Sequence, residues 1–235
     1  MNTYRFRVRV LASTLALLFG LGLSATAVEA WWTPPPSSSC GSSTFPATGQ
    51  TTSFASSTMT KDSDSPVRDD GAVRAGGALS YQNNGDGTIT DLNTGLMWEQ
   101  KIGDGGLHDV SMTFPWSSMV METIWDWLDA VNAEGGTGLA GYNDWRVPNV
   151  KELQSIVDYG ASSAPRVDVA FNFNNNSAFC TVTECSLTAS SFYWSSTTHP
   201  NPAFAWDVWF TFGDVNGSLK SSTFSVRAVR GGCLP

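Results

Sequence analysis

The stretch 141-GYNDWRVPNVKELQSIVDY-159 places a glycine turn, a Trp–Arg pair, a proline and a helix start in immediate succession. Pro148 bars Val147 from helical geometry, so the helix begins after it. Asn149 is positioned to cap that helix, and Glu152, three residues on, completes a capping box. Val150, Leu153, Ile156 and Val157 recur at helical spacing and predict one buried face, with Gly160 as the C-terminal stop. A helix this short has little stability alone, so the pattern predicts that it lies on another layer of the fold. In the loop before it, Arg146 follows Trp145, and Asp144 precedes both. An arginine beside a large aromatic and a carboxylate can stack and pair inside a domain. Trp145, Arg146, Asn149 and Glu152 are therefore read as scaffold, the rival role for Arg146 being a ligand-binding fork.

Upstream the pattern changes to short β runs. "NNGDG" (83–87) and "DLNTG" (91–95) are turn sequences flanking the strands "TIT" and "LMWEQ", which predicts a meander. A second helix follows. Thr123 caps it with Asp126 three residues on, Ile124, Trp127, Leu128 and Val131 make its apolar stripe, and Gly135 ends it. Downstream, "SFYWSST" (191–197) and "AFAWDVWFTF" (203–212) read as strands. The second is expected to turn at "GDVNG" (213–217) into "SLKSS", and "FSVRAVRG" closes the domain. Strands, two helices and strands again predict an α+β fold on antiparallel sheet.

The chain ends carry different signals. Arg5, Arg7 and Arg9 precede an apolar run from Val10 to Leu23, and small residues follow, so residues 1–30 read as a secretory signal peptide. Residues 31–65 are rich in Ser, Thr and Pro and read as an arm or linker, leaving 66–235 as the domain. The expected location is therefore secreted: periplasm, cell surface or extracellular space, with no membrane span once the signal is cleaved. Four cysteines in an exported chain predict two disulfides. Sequence permits three pairings, and the short spacing of Cys180–Cys185 favours a local loop that leaves Cys40–Cys233 to join the ends. Zinc is the competing use, but no C-x-x-C pair supports it. The whole chain holds 13 basic and 21 acidic residues, and removing residues 1–30 leaves 10 against 20. That balance disfavours nucleic acid as a partner.

"NGDGTITDLNTGLMW", "GLAGYNDWRVPNVKELQSIVDY", "YWSST", "AWDVWFTFG" and "VRAVRGG" occur in the order and spacing of the Lcl C-terminal domain family. The chain resembles that family over roughly residues 45–232, including the lead-ins "TGQTTSF" and "DDGAVRAG". The family takes its name from the end domain of a secreted collagen-like bacterial adhesin. The resemblance implies a C-type-lectin-like fold, shared with formylglycine-generating enzymes and the hypervariable ligand-binding proteins of retroelement systems. It implies two short helices on small antiparallel sheets, with the chain ends brought together. No collagen-like repeat occurs in this sequence, and its acidity argues against sulfated glycans.

Candidate sites follow from these elements. In a strand over 203–212, Trp206, Val208, Phe210 and Phe212 would share the core face, and Asp207, Trp209 and Thr211 the other. Trp209 among polar neighbours can stack on a sugar or fill a partner's pocket, with Tyr193 extending that surface; the alternative is a ring under a long loop. In the related retroelement proteins the ligand surface lies on the same C-terminal portion. Asn84, Asp86 and Asp91 are oxygen donors at alternating spacing, as in a calcium loop, although a hairpin turn explains them without a metal and no other cofactor is implied. No H-E-x-x-H, G-x-S-x-G or phosphate loop is present, and His108 and His199 stand in no triad order. The sequence thus predicts a non-enzymatic recognition module for adhesion to a glycan or extracellular protein. A self-associating envelope or extracellular subunit is the alternative, and an enzyme of unknown class the second.

Overall fold

The computed structural model describes residues 45–56, 59–61, 69–172 and 186–231. All of them fall in one unit, Pro35–Pro235. Residues 1–30 and all four cysteines lie outside the described residues, so the signal and the expected disulfides do too.

In chain order, β1 (Ser53–Ser56) and β2 (Met59–Lys61) form a hairpin that leads to the one-turn helix α1 (Asp70–Val73). Then come β3 (Tyr81–Asn83), β4 (Thr88–Asp91), β5 (Leu96–Glu99), β6 (Phe114–Pro115) and the helices α2 (Ile124–Ala133) and α3 (Val150–Ser155). The chain ends with β7 (Phe192–Thr198), β8 (Phe204–Trp209), β9 (Asp214–Leu219), β10 (Thr223–Phe224) and β11 (Val229–Gly231). The sheets are small and antiparallel: β11-β5-β4-β3, β7-β8-β9, β10-β6 and the β1-β2 pair. The fold is α+β, as the alternation of segments predicts. Among the described residues no helix is long and apolar enough to cross a membrane.

Both capping boxes form where the sequence places them. Thr123 accepts from the backbone of Trp125 and Asp126, while Asp126 accepts from Thr123 N at 2.8 Å. Asn149 accepts from Lys151 and Glu152, while Glu152 accepts from Asn149 N at 2.8 Å. Each cap contributes about 1 kcal/mol. The third helix is shorter than expected, ending at Ser155 and not at Gly160. Ile156 and Val157 are still buried, because Val157 leaves the helix to bridge with Val167. The expected turn at "GDVNG" is also displaced. Residues 210–213 make the turn instead, with Phe212 N and Gly213 N donating to Trp209 O and Gly213 at φ +86°. Asp214–Gly217 are consequently strand.

Part of the Ser/Thr-rich arm is hydrogen-bonded to the rest of the fold. Ala47 N and Gly77 N exchange bonds with Gly77 O and Phe45 O, and Tyr159 N donates to Thr48 O. The Thr48 hydroxyl bonds Asp70, and Arg74 Nη2 donates to Thr51 O at 2.6 Å. Residues 45–52 are thereby docked on α1 and the segment after α3.

The core has two apolar clusters that share β7. One joins Ile89, Trp98, Leu153, Ile156, Phe171, Tyr193 and Val208, between the four-stranded sheet and α3. The other joins Ile124, Trp127, Val131, Trp145, Trp194, Val226 and Ala228, beneath α2. Tyr193 and Trp194 point to opposite sides of their strand, so β7 is buried on both faces at this point.

Candidate functional site

The second half of the loop before α3 faces inward: Trp145, Val147 and Pro148 are buried, while residues 141–143 are exposed. Arg146 Nη1 and Nη2 bond Glu152 Oε2 and Oε1 at 2.7 and 2.8 Å, and Nη2 also donates to Gly231 O at 3.2 Å. Its backbone exchanges two 2.9 Å bonds with Val229. Trp145 is buried, its indole donating to Leu139 O at 3.0 Å, and the Asn132 side chain holds both its N–H and its C=O. The expected partners are exchanged. Arg146 takes Glu152 and not Asp144, while Asp144 takes Arg230 at 2.7 Å and Arg230 lies 3.6 Å from the Tyr142 ring centroid. Side-chain direction explains the switch: i, i+6 across the cap brings the two charges together, and sequence adjacency does not.

The C-terminal strands carry a row of aromatic rings. Register pairs Phe192 directly with Trp209, and their rings stack at 4.7 Å. Phe192 stacks in turn on Phe224 at 4.9 Å, and Phe212 meets Trp209 edge-on at 4.7 Å. Phe192, Trp209 and Phe224 are half-buried and Phe212 is 55% exposed. Strand alternation assigns Phe212 to the core, but β8 ends at Trp209, and the turn returns Phe212 to Trp209's side. Tyr193 does not extend this surface. It is 1% exposed, directed into the core against Val208 and Phe210, and its hydroxyl accepts from Ala189 N. Pairing Phe192 with Trp209 decides this, since a one-residue change of register reverses every side chain. Thr211 is half-buried, its hydroxyl donating to Ser190 O at 2.9 Å.

Asp207 shares the Trp209 face but lies at its covered end. It is 0% exposed, with Trp194 and Asn216 as its cross-strand neighbours. Neither carboxylate oxygen has a hydrogen bond of normal geometry among the described residues. Burial raises its pKa to about 6, opposed only by the Ser218 hydroxyl. Asp207 is not a surface group.

A second concentration of polar groups went unread in the sequence. Glu99, at the end of β5, is fully buried; Oε1 meets Lys101 Nζ at 2.8 Å and His108 Nδ1 at 2.7 Å, and Oε2 accepts from Ala228 N at 2.8 Å. Burial alone would raise its pKa, but Lys101 and His108 outweigh it and hold the carboxyl down to about 2. Burial lowers His108, yet the bonds and charges of Glu99 and then Glu134 prevail and raise it. His108 Nε2 meets Glu134 at 3.1 Å, which carries the chain of contacts outward. Arg227 lies behind, fully buried and fixed by Glu99 O, Leu187 O and Thr188 Oγ1.

This network opens into a cleft of about 350 Å3 between the β3–β4 turn, the segment after β5 and the turns after α2. Its wall includes Asp86, Gln100, His108, Glu134 and Leu139. Such a volume falls at the small end of ligand pockets, which span roughly 300–1,000 Å3. No periodic pattern reveals these groups. The one available signal is "EQK" running straight on from a buried strand, where three polar residues have no reason to stand unless partnered.

The calcium-type donors are not brought together. Asn84 and Asp86 lie in the β3–β4 turn and bond Thr88 and Thr90, whereas Asp91 sits at the far end of β4 and holds Asn93 N and the Thr94 hydroxyl. Among the described residues no group of three or more His, Cys, Asp or Glu is arranged to hold a metal.

No curated protein matches the chain. The Lcl C-terminal domain matches residues 87–230, a shorter span than the sequence motifs imply, since the lead-in from 45 lies before it. The matched span covers well over half of the chain and runs from the β3–β4 turn into β11, taking in α2, α3, the aromatic row and the buried charge network. The chain belongs to the Lcl C-terminal domain family.

Proposed function

We propose that this protein is an exported, non-enzymatic recognition module of C-type-lectin-like architecture, its ends tied by disulfides, that binds a glycan or an extracellular protein. The observation that carries the reading is the row Phe212–Trp209–Phe192–Phe224, in mutual ring contact and partly open on the C-terminal strands. Partly exposed rings held rigid by their neighbours offer contact area at small entropic cost, which suits stacking on a sugar face or filling a partner's pocket. Trp209→Ala tests it: the half-buried ring can be removed with the fold kept, and binding on a glycan array or in an extracellular-protein pull-down should fall at least tenfold. Unchanged binding by a folded variant, or no ligand for the parent chain in either assay, overturns the reading.

A second reading, self-assembly, draws on a different feature. Met119 and Val120 are fully exposed on one loop, with Met121 beside them more than half exposed. Adjacent bare apolar side chains favour an interface between copies. Light scattering on the eluting protein distinguishes the two, since a strict monomer at high concentration removes assembly.

A further inference from the structure

The cleft beside His108 shares no residue with the aromatic row, and its chemistry is more specific. Gln100 is 3% exposed and forms part of the wall, yet neither Nε2 nor Oε1 has a hydrogen-bond partner among the described residues. A buried carboxamide left unbonded is destabilising, a cost that a suitable ligand removes. Its needs are particular: one acceptor and one donor side by side. An ammonium would serve only the oxygen, and a sulfate or phosphate only the nitrogen. A hydroxyl is donor and acceptor at once, so two neighbouring hydroxyls serve both the amide oxygen and its nitrogen.

Charge points the same way. Glu134 is paired with His108 and Glu99 with Lys101, so these charges already balance in pairs. Asp86 remains at the rim, with Oδ1 accepting from Thr88, and forms no ion pair among the described residues. An anion would be repelled by Asp86, and an ammonium would leave the Gln100 amide nitrogen unserved, whereas hydroxyl protons are well accepted by carboxylates. Leu139 and Ile102 contribute apolar wall for the C–H face of a ring. We propose that this cleft is a binding site for the vicinal hydroxyls of a neutral pyranose, with Gln100 as the bidentate partner and Asp86 and Glu134 as acceptors at the rim. The site goes beyond the proposed aromatic surface and does not depend on it.

The test uses the full chain, nitrogen-15 labelled, titrated with methyl α-D-mannopyranoside and methyl β-D-galactopyranoside. Sodium sulfate and methylammonium chloride serve as charged comparisons. At least one glycoside should shift the Gln100 side-chain amide and the His108 ring signals, while the two salts leave them in place. Gln100→Leu should weaken that binding at least tenfold while holding or raising Tm, because an apolar group replaces an unbonded one. Trp209→Ala should leave it unchanged, which separates failure of this site from failure of the aromatic one. The proposal is overturned if neither glycoside moves the signals, if sulfate or methylammonium moves them instead, or if Gln100→Leu binds as the parent does.

Discussion

Arg146 and Glu152 form a two-pronged ion pair across the entry to α3, with both N–O distances below 3 Å. Glu152 also caps Asn149 N, so one carboxylate joins the loop, the helix start and, through Arg146, the Gly231 carbonyl. Both side chains are less than a third exposed, which limits screening. Arg146→Ala should therefore cost about 1–3 kcal/mol and lower Tm by roughly 2–10 °C. Arg146→Lys should recover only part of this, since an ammonium cannot reproduce the fork. Thermal unfolding of the two variants decides it. Normal stability with altered ligand binding would reassign Arg146 to recognition.

The Glu99–His108 contact makes stability depend on pH at both ends. Glu99 is held below its ordinary value, so its contribution is complete above about 4.5 and is lost as pH falls toward about 2. His108 is raised, so its contribution is complete below its ordinary 6.5 and disappears as pH rises through the higher folded value. Glu99→Gln leaves the Lys101 ammonium buried without its counter-ion and should cost about 3–5 kcal/mol at pH 6. His108→Gln should cost less and flatten the loss above pH 6.5. Urea midpoints measured from pH 3 to 9 report both effects, and an unchanged profile in His108→Gln would show that the imidazole carries no linked proton.

Gly71 tests how firmly residues 45–52 are held. A Cβ at this position would lie 2.0 Å from Thr52 O, a backbone atom that cannot yield without moving the segment. Gly71→Ala should undock it, at about 1–3 kcal/mol for the overpacked contact. Limited proteolysis should then cut within 45–56 while the body from α2 to β11 survives. Equal resistance in the variant and the parent would mean that the segment is not packed as described.

Local features were the legible ones. Each capping box is written within four residues, and the meander turns are written in their glycines and asparagines, so both stand where the sequence puts them. What the sequence obscured was long-range. Whether Phe192 or Tyr193 stands opposite Trp209 depends on register, and no residue in either strand states the register alone. The exchange of partners between Arg146 and Arg230 depends on β11 arriving beside the loop from more than eighty residues away. His108 looked isolated because Glu99 and Glu134 approach it from nine and twenty-six residues off, on different elements. The "GDVNG" segment misled for another reason. Its turn-type residues are tolerated in an edge strand, while Gly213 alone supplied the positive φ.

Asp207 offers a test of opposite sign to Glu99. Burial raises its pKa from 3.8 to about 6, so an unfolded chain releases the proton near 3.8 while the folded chain retains it for about two pH units more. Stability from this group therefore falls as pH climbs between those values and stays lower above them, by on the order of 3 kcal/mol. Asp207→Asn keeps the shape and removes the charge. At pH 4 the variant and parent should be similar, because the parent carboxyl is still mostly protonated in the folded state. At pH 7.5 the variant should be the more stable, with a higher urea midpoint and a higher Tm. The difference between the two proteins is the quantity to follow, since the titrations of Glu99 and His108 cancel from it. A difference that stays flat from pH 4 to 7.5 would mean that Asp207 is ionised throughout, and a variant that loses stability at pH 7.5 would mean that its carboxylate has a partner worth more than its burial.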